Sequence, residues 1–289
     1  MYLKTDKIVV TVGDVTMRSY KTAVGPQYQL DPTAVVGWQD GVDIRRSFTP
    51  RQIRAGDFLE AGRHASRYIS FSGTAIAANA QDLLVMRDNF AGMVLPKNYE
   101  TLTVTDSGST RSATVTIGGK TSWVRQLDNV AAFKIDFYAP DPNIYGPTRT
   151  ITLGGSAGLG APLGGGLDLP LSYPIDYGTA VALQSQYVYN NGNNEAWPSF
   201  KITGDYPGGF AITDNLGSFI TYSGMVTMKS PVIIDSSGGY ATQDGNDRST
   251  FLSRRDWFSI QPGQTLQPSF IPVQNTNGWC DIIFRDTWI

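Results

Sequence analysis

The chain's 289 residues and 31.4 kDa suffice for two ordinary domains, and its 41% hydrophobic residues suffice to give each a core. Charged residues make up only 17%, the net charge is −2 and the pI is about 5.4, a balance that argues against a dedicated nucleic-acid binder. One cysteine, Cys280, and one histidine, His64, exclude an intramolecular disulfide, a Cys/His zinc site and any mechanism that needs two histidines.

From the N-terminus, Met1 to Lys7 lacks the apolar core of a secretory signal, and no run of about 18 apolar residues follows, so neither export nor a membrane-spanning helix is expected. Short alternating runs predict half-buried strands at Lys7–Val12, Thr101–Thr105 and Thr114–Ile117. A further strand should carry Phe133, Ile135 and Phe137 on one face, with Lys134 and Asp136 opposite. Between the first two strands, residues 74–92 break the pattern. Ile76, Ala80, Leu83, Met86 and Phe90 recur at helical spacing, Thr74 can cap the start and Gly92 can end it. This predicts one amphipathic helix lying across a sheet, its stripe a packing face.

Residues 150–170 hold seven glycines together with Pro162 and Pro170, and backbone entropy opposes a regular element there. The segment lacks the Lys-Ser/Thr of a phosphate loop and the spacing of a dinucleotide fingerprint. It is expected to be a linker or exposed loop over 151–170. Beyond it, strands are predicted at Phe219–Tyr222, Met225–Met228, Val232–Asp235 and Trp257–Ile260. In a last strand, Cys280, Ile282, Phe284 and Trp288 share one parity. The expected organisation is a first domain over 1–150, strands plus one helix, and a second over 171–289, strands only, as a sandwich or jelly roll.

Residues that could carry chemistry are few. His64 lies among positive charges with no nucleophile elbow, which reads as an exposed loop histidine. Asp136, Asp141, Asp235, Asp244 and Asp247 are scattered and mostly fall at turns, where Asp serves its own backbone. The run from Asp235 to Asp247 does not follow the EF-hand ligand order and reads as hairpin turns. No catalytic residue, metal ligand or cofactor is assigned. Arg45, Arg46, Arg51, Arg54, Arg63 and Arg67 cluster with Asp43, Asp57 and Glu60 between them. That mixture reads as a solvated surface or as charge pairing across a subunit interface rather than a nucleic-acid stripe. Trp197, beside Pro198, is the one candidate for stacking on a sugar.

The order of elements resembles the distal tail protein (Dit) family of long-tailed, non-contractile phages. The resemblance rests on Ile69-Ser-Phe-Ser-Gly-Thr74 leading into the helix, and on Phe133-Lys-Ile-Asp-Phe-Tyr-Ala-Pro-Asp-Pro142 followed by Ile144-Tyr145-Gly146. It continues through Tyr187-Val-Tyr-Asn-Asn-Gly192, Ala196-Trp-Pro-Ser-Phe-Lys-Ile-Thr-Gly204, Ile233-Ile-Asp235 and Trp257-Phe-Ser-Ile-Gln-Pro-Gly263. It implies a mainly β chain: an N-terminal β-sandwich with one α-helix that forms a belt-type ring, and a C-terminal galectin-like β-sandwich. It further implies a non-enzymatic virion component at the tail tip, made in the host cytoplasm, whose copies form a hexameric ring. The implied partners are the tail tube protein, the tape measure protein and the tail-tip hub or fibre protein, with no membrane and no specific nucleic acid. The alternatives are a carbohydrate-binding module that recognises a host surface glycan through Trp197, and a glycan-cleaving enzyme.

Overall fold

A computed structural model describes residues 7–21, 25–59, 62–154, 186–274 and 278–289. The chain divides into two compact units, one ending at Pro147 and joined by Ile289, the other running from Thr148 to Trp288.

The first unit is built from β1 (Val9–Val12), β2 (Val15–Arg18), β3 (Gln27–Val36), β4 (Ile44–Arg45), β5 (Phe48–Pro50), β6 (Asp57–Leu59), β7 (Arg63–His64) and β8 (Arg67–Ile76). The helix α1 (Ala80–Gly92) follows, then β9 (Glu100–Asp106), β10 (Ser109–Ile117), β11 (Ser122–Leu127), β12 (Val130–Ala139) and the start of β13 (Ile144–Gly154). The main sheet runs β11-β12-β8-β3-β2-β1-β9-β10, and β10 returns to β12 through Thr116–Tyr138 and Ile117–Phe137. The expected sandwich with a single helix is thus a sheet closed on itself, which leaves few free edges. Alternation builds its interior: Val10, Val12, Val15 and Met17 are buried from one hairpin, and Phe133, Ile135 and Phe137 from β12, as the parity of the sequence requires.

The helix begins later than the sequence predicts. Thr74, Ala75 and Ile76 belong to β8, where they pair with β12 on one side and β3 on the other. Gly73 permits this close pairing, because a Cβ there would stand 2.1 Å from the Gln29 carbonyl oxygen. The N-cap is Asn79, whose Oδ1 accepts from the Asp82 amide at 2.9 Å, while its Nδ2 donates to the Asp82 carboxylate at 3.0 Å. Leu83, Met86 and Phe90 form the buried stripe, whereas Ala80 is exposed and Ile76 lies in a strand. Phe90 meets Phe133 at 5.1 Å between centroids, and Tyr28 donates to the Met86 carbonyl at 2.6 Å. Gly92 is the last helical residue, and the chain passes into Met93 still in the right-handed region.

The second unit takes in the rest of β13 and contains β14 (Val188–Tyr189), β15 (Ser199–Gly204), β16 (Phe210–Thr213), β17 (Phe219–Tyr222), β18 (Val232–Asp235), β19 (Tyr240–Gln243) and β20 (Asn246–Asp247). After these come β21 (Leu252–Arg255), β22 (Thr265–Leu266), β23 (Ser269–Pro272) and β24 (Gly278–Trp288). One sheet orders β24-β15-β18-β19-β20, the other β21-β17-β16-β23. Phe200, Ile202, Val232, Cys280 and Phe284 of the first share one core with Phe210, Ile220, Tyr222 and Phe270 of the second, which makes a β-sandwich. Ile151 and Leu153 of β13 pack into the same core. Residues 151–154 of the Gly-rich segment are therefore strand, because their alternate apolar side chains have a core to enter. Residues 155–170 lie outside the described residues.

Two predicted strands of this unit are not strands. Met225–Met228 and Trp257–Ile260 make only isolated bridges, Tyr206–Val226, Thr227–Ser230 and Ala196–Ile260. Gly224 on one side, and Lys229 to Pro231 on the other, turn the first too tightly to extend a ladder. The opening Asn190-Asn191-Gly192 is a tightly docked turn. Asn190 is buried and satisfied, donating to the Asn194 and Ile260 carbonyls and accepting from the Gly192 and Thr287 amides. A Cβ at residue 192 would sit 1.7 Å from the Thr287 oxygen, so only glycine fits.

Candidate functional site

Between β3 and β8 the chain leaves the closed sheet and makes an arm of two short ribbons. In the first, Ile44 faces His64 and Arg45 faces Arg63; in the second, Phe48 to Pro50 run opposite Leu59 to Asp57. The tip closes through the Arg51 amide on the Gly56 carbonyl at 3.1 Å. Among the described side chains of these ribbons none is buried. Ile53 is 96% exposed, and Ile44, Phe48 and Phe58 are each more than half exposed. Each such side chain gains about 1.5–3 kcal/mol on full burial, so this much apolar surface on one projection marks an interaction face.

The arm's root is fastened by hydrogen bonds. Arg67 is 3% exposed and points back under the arm, where Nη1 donates to the carbonyls of Gly37 at 2.8 Å and Asp40 at 2.9 Å, and Nε to that of Pro142 at 3.0 Å. The Gly37 amide donates to the Asp40 carboxylate at 2.7 Å, and the Ala65 amide to the Asp43 carbonyl at 2.7 Å. Arg67 thus separates from the cluster it belongs to in sequence: it is a fastener, while the other five arginines sit on the exposed arm. Arg51 lies over the Phe58 ring at 5.2 Å. None of the five is ion-paired with a carboxylate of the described residues. A cleft of about 640 Å3 opens at the tip, lined by Pro50, Ile53 and Phe58 with Arg51 and Arg54 at its edge.

The other candidate residues do not converge. His64 is exposed on β7. Asp136 accepts from Ser70, Asp141 from Tyr145 and the Asn143 amide, Asp235 from the Ser237 amide, Asp244 from Ser230 and Asp247 from Ser249. The run from Asp235 to Asp247 forms the β18–β19–β20 hairpins. Among the described residues, no group of three His, Cys, Asp or Glu side chains is placed to hold a metal. Hydrogen bonds from Ser249 hold the Asp247 carboxyl below its usual range, and those from Arg254 and the Phe219 amide do the same for Asp256. Trp197 is 39% exposed on the second unit. Sequence reasoning missed the half-buried pairing of Arg149 with Asp286 at 3.2 Å, in which Asn191 also donates to Asp286 at 2.9 Å. Its partners lie more than 90 residues apart in the chain, with no local signal.

Comparison with known proteins fits this architecture. Residues 191–288 match the family described as siphovirus-type tail component, C-terminal domain. Among solved structures, the Dit protein (gp 19.1) of phage SPP1, described as a paradigm of the hub adsorption apparatus in phages infecting Gram-positive hosts, superposes with a TM-score of 0.62 at 13% identity. The match covers 89% of this chain and 93% of that one. A chain of the phage P2 baseplate in its activated conformation with calcium gives a TM-score of 0.51 at 12% identity, covering 97% and 98%. No curated relative matches the sequence. The resemblance read from the short motifs holds: the fold is Dit-like, and residues 191–288 match the model of a siphovirus-type tail component's C-terminal domain.

Proposed function

We propose that this chain, a structural siphovirus-type tail component of the distal tail protein family, works at the tail tip by closing copies of its first unit into a ring, most simply a hexamer. The match of residues 191–288 to a tail component domain carries this reading, and the Dit-like fold along 89% of the chain supports it. The ring joins the end of the tail tube to the tail-tip hub, with the tape measure protein as a further partner. A closed sheet without long free edges suits such a block, because copies then meet through side chains and the projecting arm rather than by open-ended strand pairing. The protein acts by shape and contact, without catalysis. Light scattering across a concentration series, with negative-stain imaging of the largest species, should show six-fold rings. A protein that stays monomeric at every concentration and is missing from purified virions would end this reading. Trp197 belongs to a second proposal, glycan recognition by the second unit. Glycan-array binding that disappears in Trp197→Ala would establish it, and a blank array would remove it.

A further inference from the structure

We propose that in the assembled ring the arm of one copy lies along the outer face of α1 in the neighbouring copy. This rests on the ring reading above and adds which two surfaces meet.

The arm is apolar and cationic. Between residues 41 and 66 it carries five arginines against three acidic residues, so it is positive within a chain of net charge −2. Ile44, Phe48, Ile53 and Phe58 and the five arginines are exposed. The outer face of α1 is apolar as well, and its charges, Asp82, Arg87 and Asp88, leave one net negative charge. A surface helix normally turns polar residues outward, yet Leu84 and Val85 are about half exposed there and Ala91 is exposed. Asp82 and Asp88 border that stripe. Asp82 holds the cap with Asn79, and Asp88 pairs with Arg87 at 2.8 Å, both near the surface, so each carboxylate keeps an open side for a guanidinium.

Dimensions agree as well. A helix of 13 residues spans roughly 20 Å, long enough to hold the ladder of three residues a side in the hairpin over 48–59, roughly 10 Å. The cleft at the arm's tip, with Ile53 and Phe58 in its wall, takes side chains of the size of Leu84 and Val85. Within one copy both surfaces stay exposed, so the arm does not fold back onto its own helix. Two different patches that fit one another make a heterologous contact, which does not stop at a dimer and closes into a ring where its rotation closes.

The test uses the full chain, whose native Cys280 is buried. Ile53→Cys protein is mixed with Leu84→Cys protein under mild oxidation, with Leu216→Cys on the second unit, a position more exposed than Leu84, as the control. A mixed disulfide between the thiols introduced on the arm and on the helix should form about tenfold faster than the control pair. Independently, Arg51→Glu with Arg54→Glu should weaken self-association about tenfold, and Asp88→Arg in the partner copies should recover part of that loss. Rings that form normally while the mixed disulfide is no faster than the control, and while charge reversal has no effect, overturn this contact and leave the ring reading intact. The mixed disulfide in a protein that never closes into rings upholds the contact and removes the ring. Monomers under all conditions without a mixed disulfide end both.

Discussion

Six arginines within 23 positions look alike in sequence, and the structure gives one of them a different job. Arg67 satisfies carbonyls from two loops at once, whereas Arg54 is exposed on the arm and pairs with no carboxylate of the described residues. Arg67→Ala should therefore cost about 1–3 kcal/mol, because three part-buried carbonyls lose a buried donor. Arg54→Ala should stay within about 0.5 kcal/mol. Urea unfolding that gives the same midpoint for both variants would refute the assignment. The difference was illegible in the sequence because charge and spacing report composition, while burial depends on where β3 and β8 place the arm's two ends. Cys280 shows the converse case, in which parity alone put the residue inside. It is fully buried, and burial together with the nearby Asp281 pushes its thiol well above the ordinary value of 9.0. A thiol reagent should then label the native protein only as fast as it unfolds. The sign for stability follows. Above pH 9 the unfolded chain loses this proton and the folded one keeps it, so stability falls as pH rises, by up to about 1.4 kcal/mol per unit. Tyr28, raised to about 12 by burial, adds to the fall above pH 10. Denaturant midpoints that hold level from pH 8 to 11 would contradict this.

Among the elements, the helix shows how local propensity yields to pairing. The Ala-rich stretch from Thr74 invites a helix, but β3 and β12 flank those residues on both sides, and the ladder claims them through Ile76. What the sequence did reveal was the stripe of Leu83, Met86 and Phe90, because only a helix brings those spacings to one face. The cap was missed for a plain reason: Thr74 and Asn79 are both good N-caps, and only tertiary context chooses between them. Asn79→Ala should destabilise the protein by about 1 kcal/mol, and amide exchange at Asp82 and Leu83 should speed up. Thr74→Ala should leave those amides unchanged. Equal effects of the two substitutions on exchange in the first turn would place the cap back at residue 74. Strands misread at Met225–Met228 and Trp257–Ile260 share a cause. Both are apolar enough for a ladder, but each finds only isolated bridge partners, and periodicity cannot see whether a partner strand exists.

For the molecule as a whole, the order of motifs conveyed the two-part β architecture, since the strands and their turns recur in that order whatever their exact ends. The location of the division was less legible. Glycine density points to 151–170, yet the second unit begins at Thr148, because β13 contributes to its core before the glycines start. Leu153 is completely buried there, Thr152 donates to Asp281 at 2.6 Å, and Arg149 both pairs with Asp286 and covers the Phe284 ring at 4.9 Å. A fragment over 148–288 keeps all of these, and one over 171–288 loses them together. Removing a buried leucine alone costs about 2–5 kcal/mol, and stranding a half-buried Asp286 without its arginine adds to that. The longer fragment should unfold cooperatively on heating, and the shorter one should melt many degrees lower or fail to fold. If both melt at the same temperature, β13 is an accessory to the second unit, and the division belongs inside the glycine-rich segment after all.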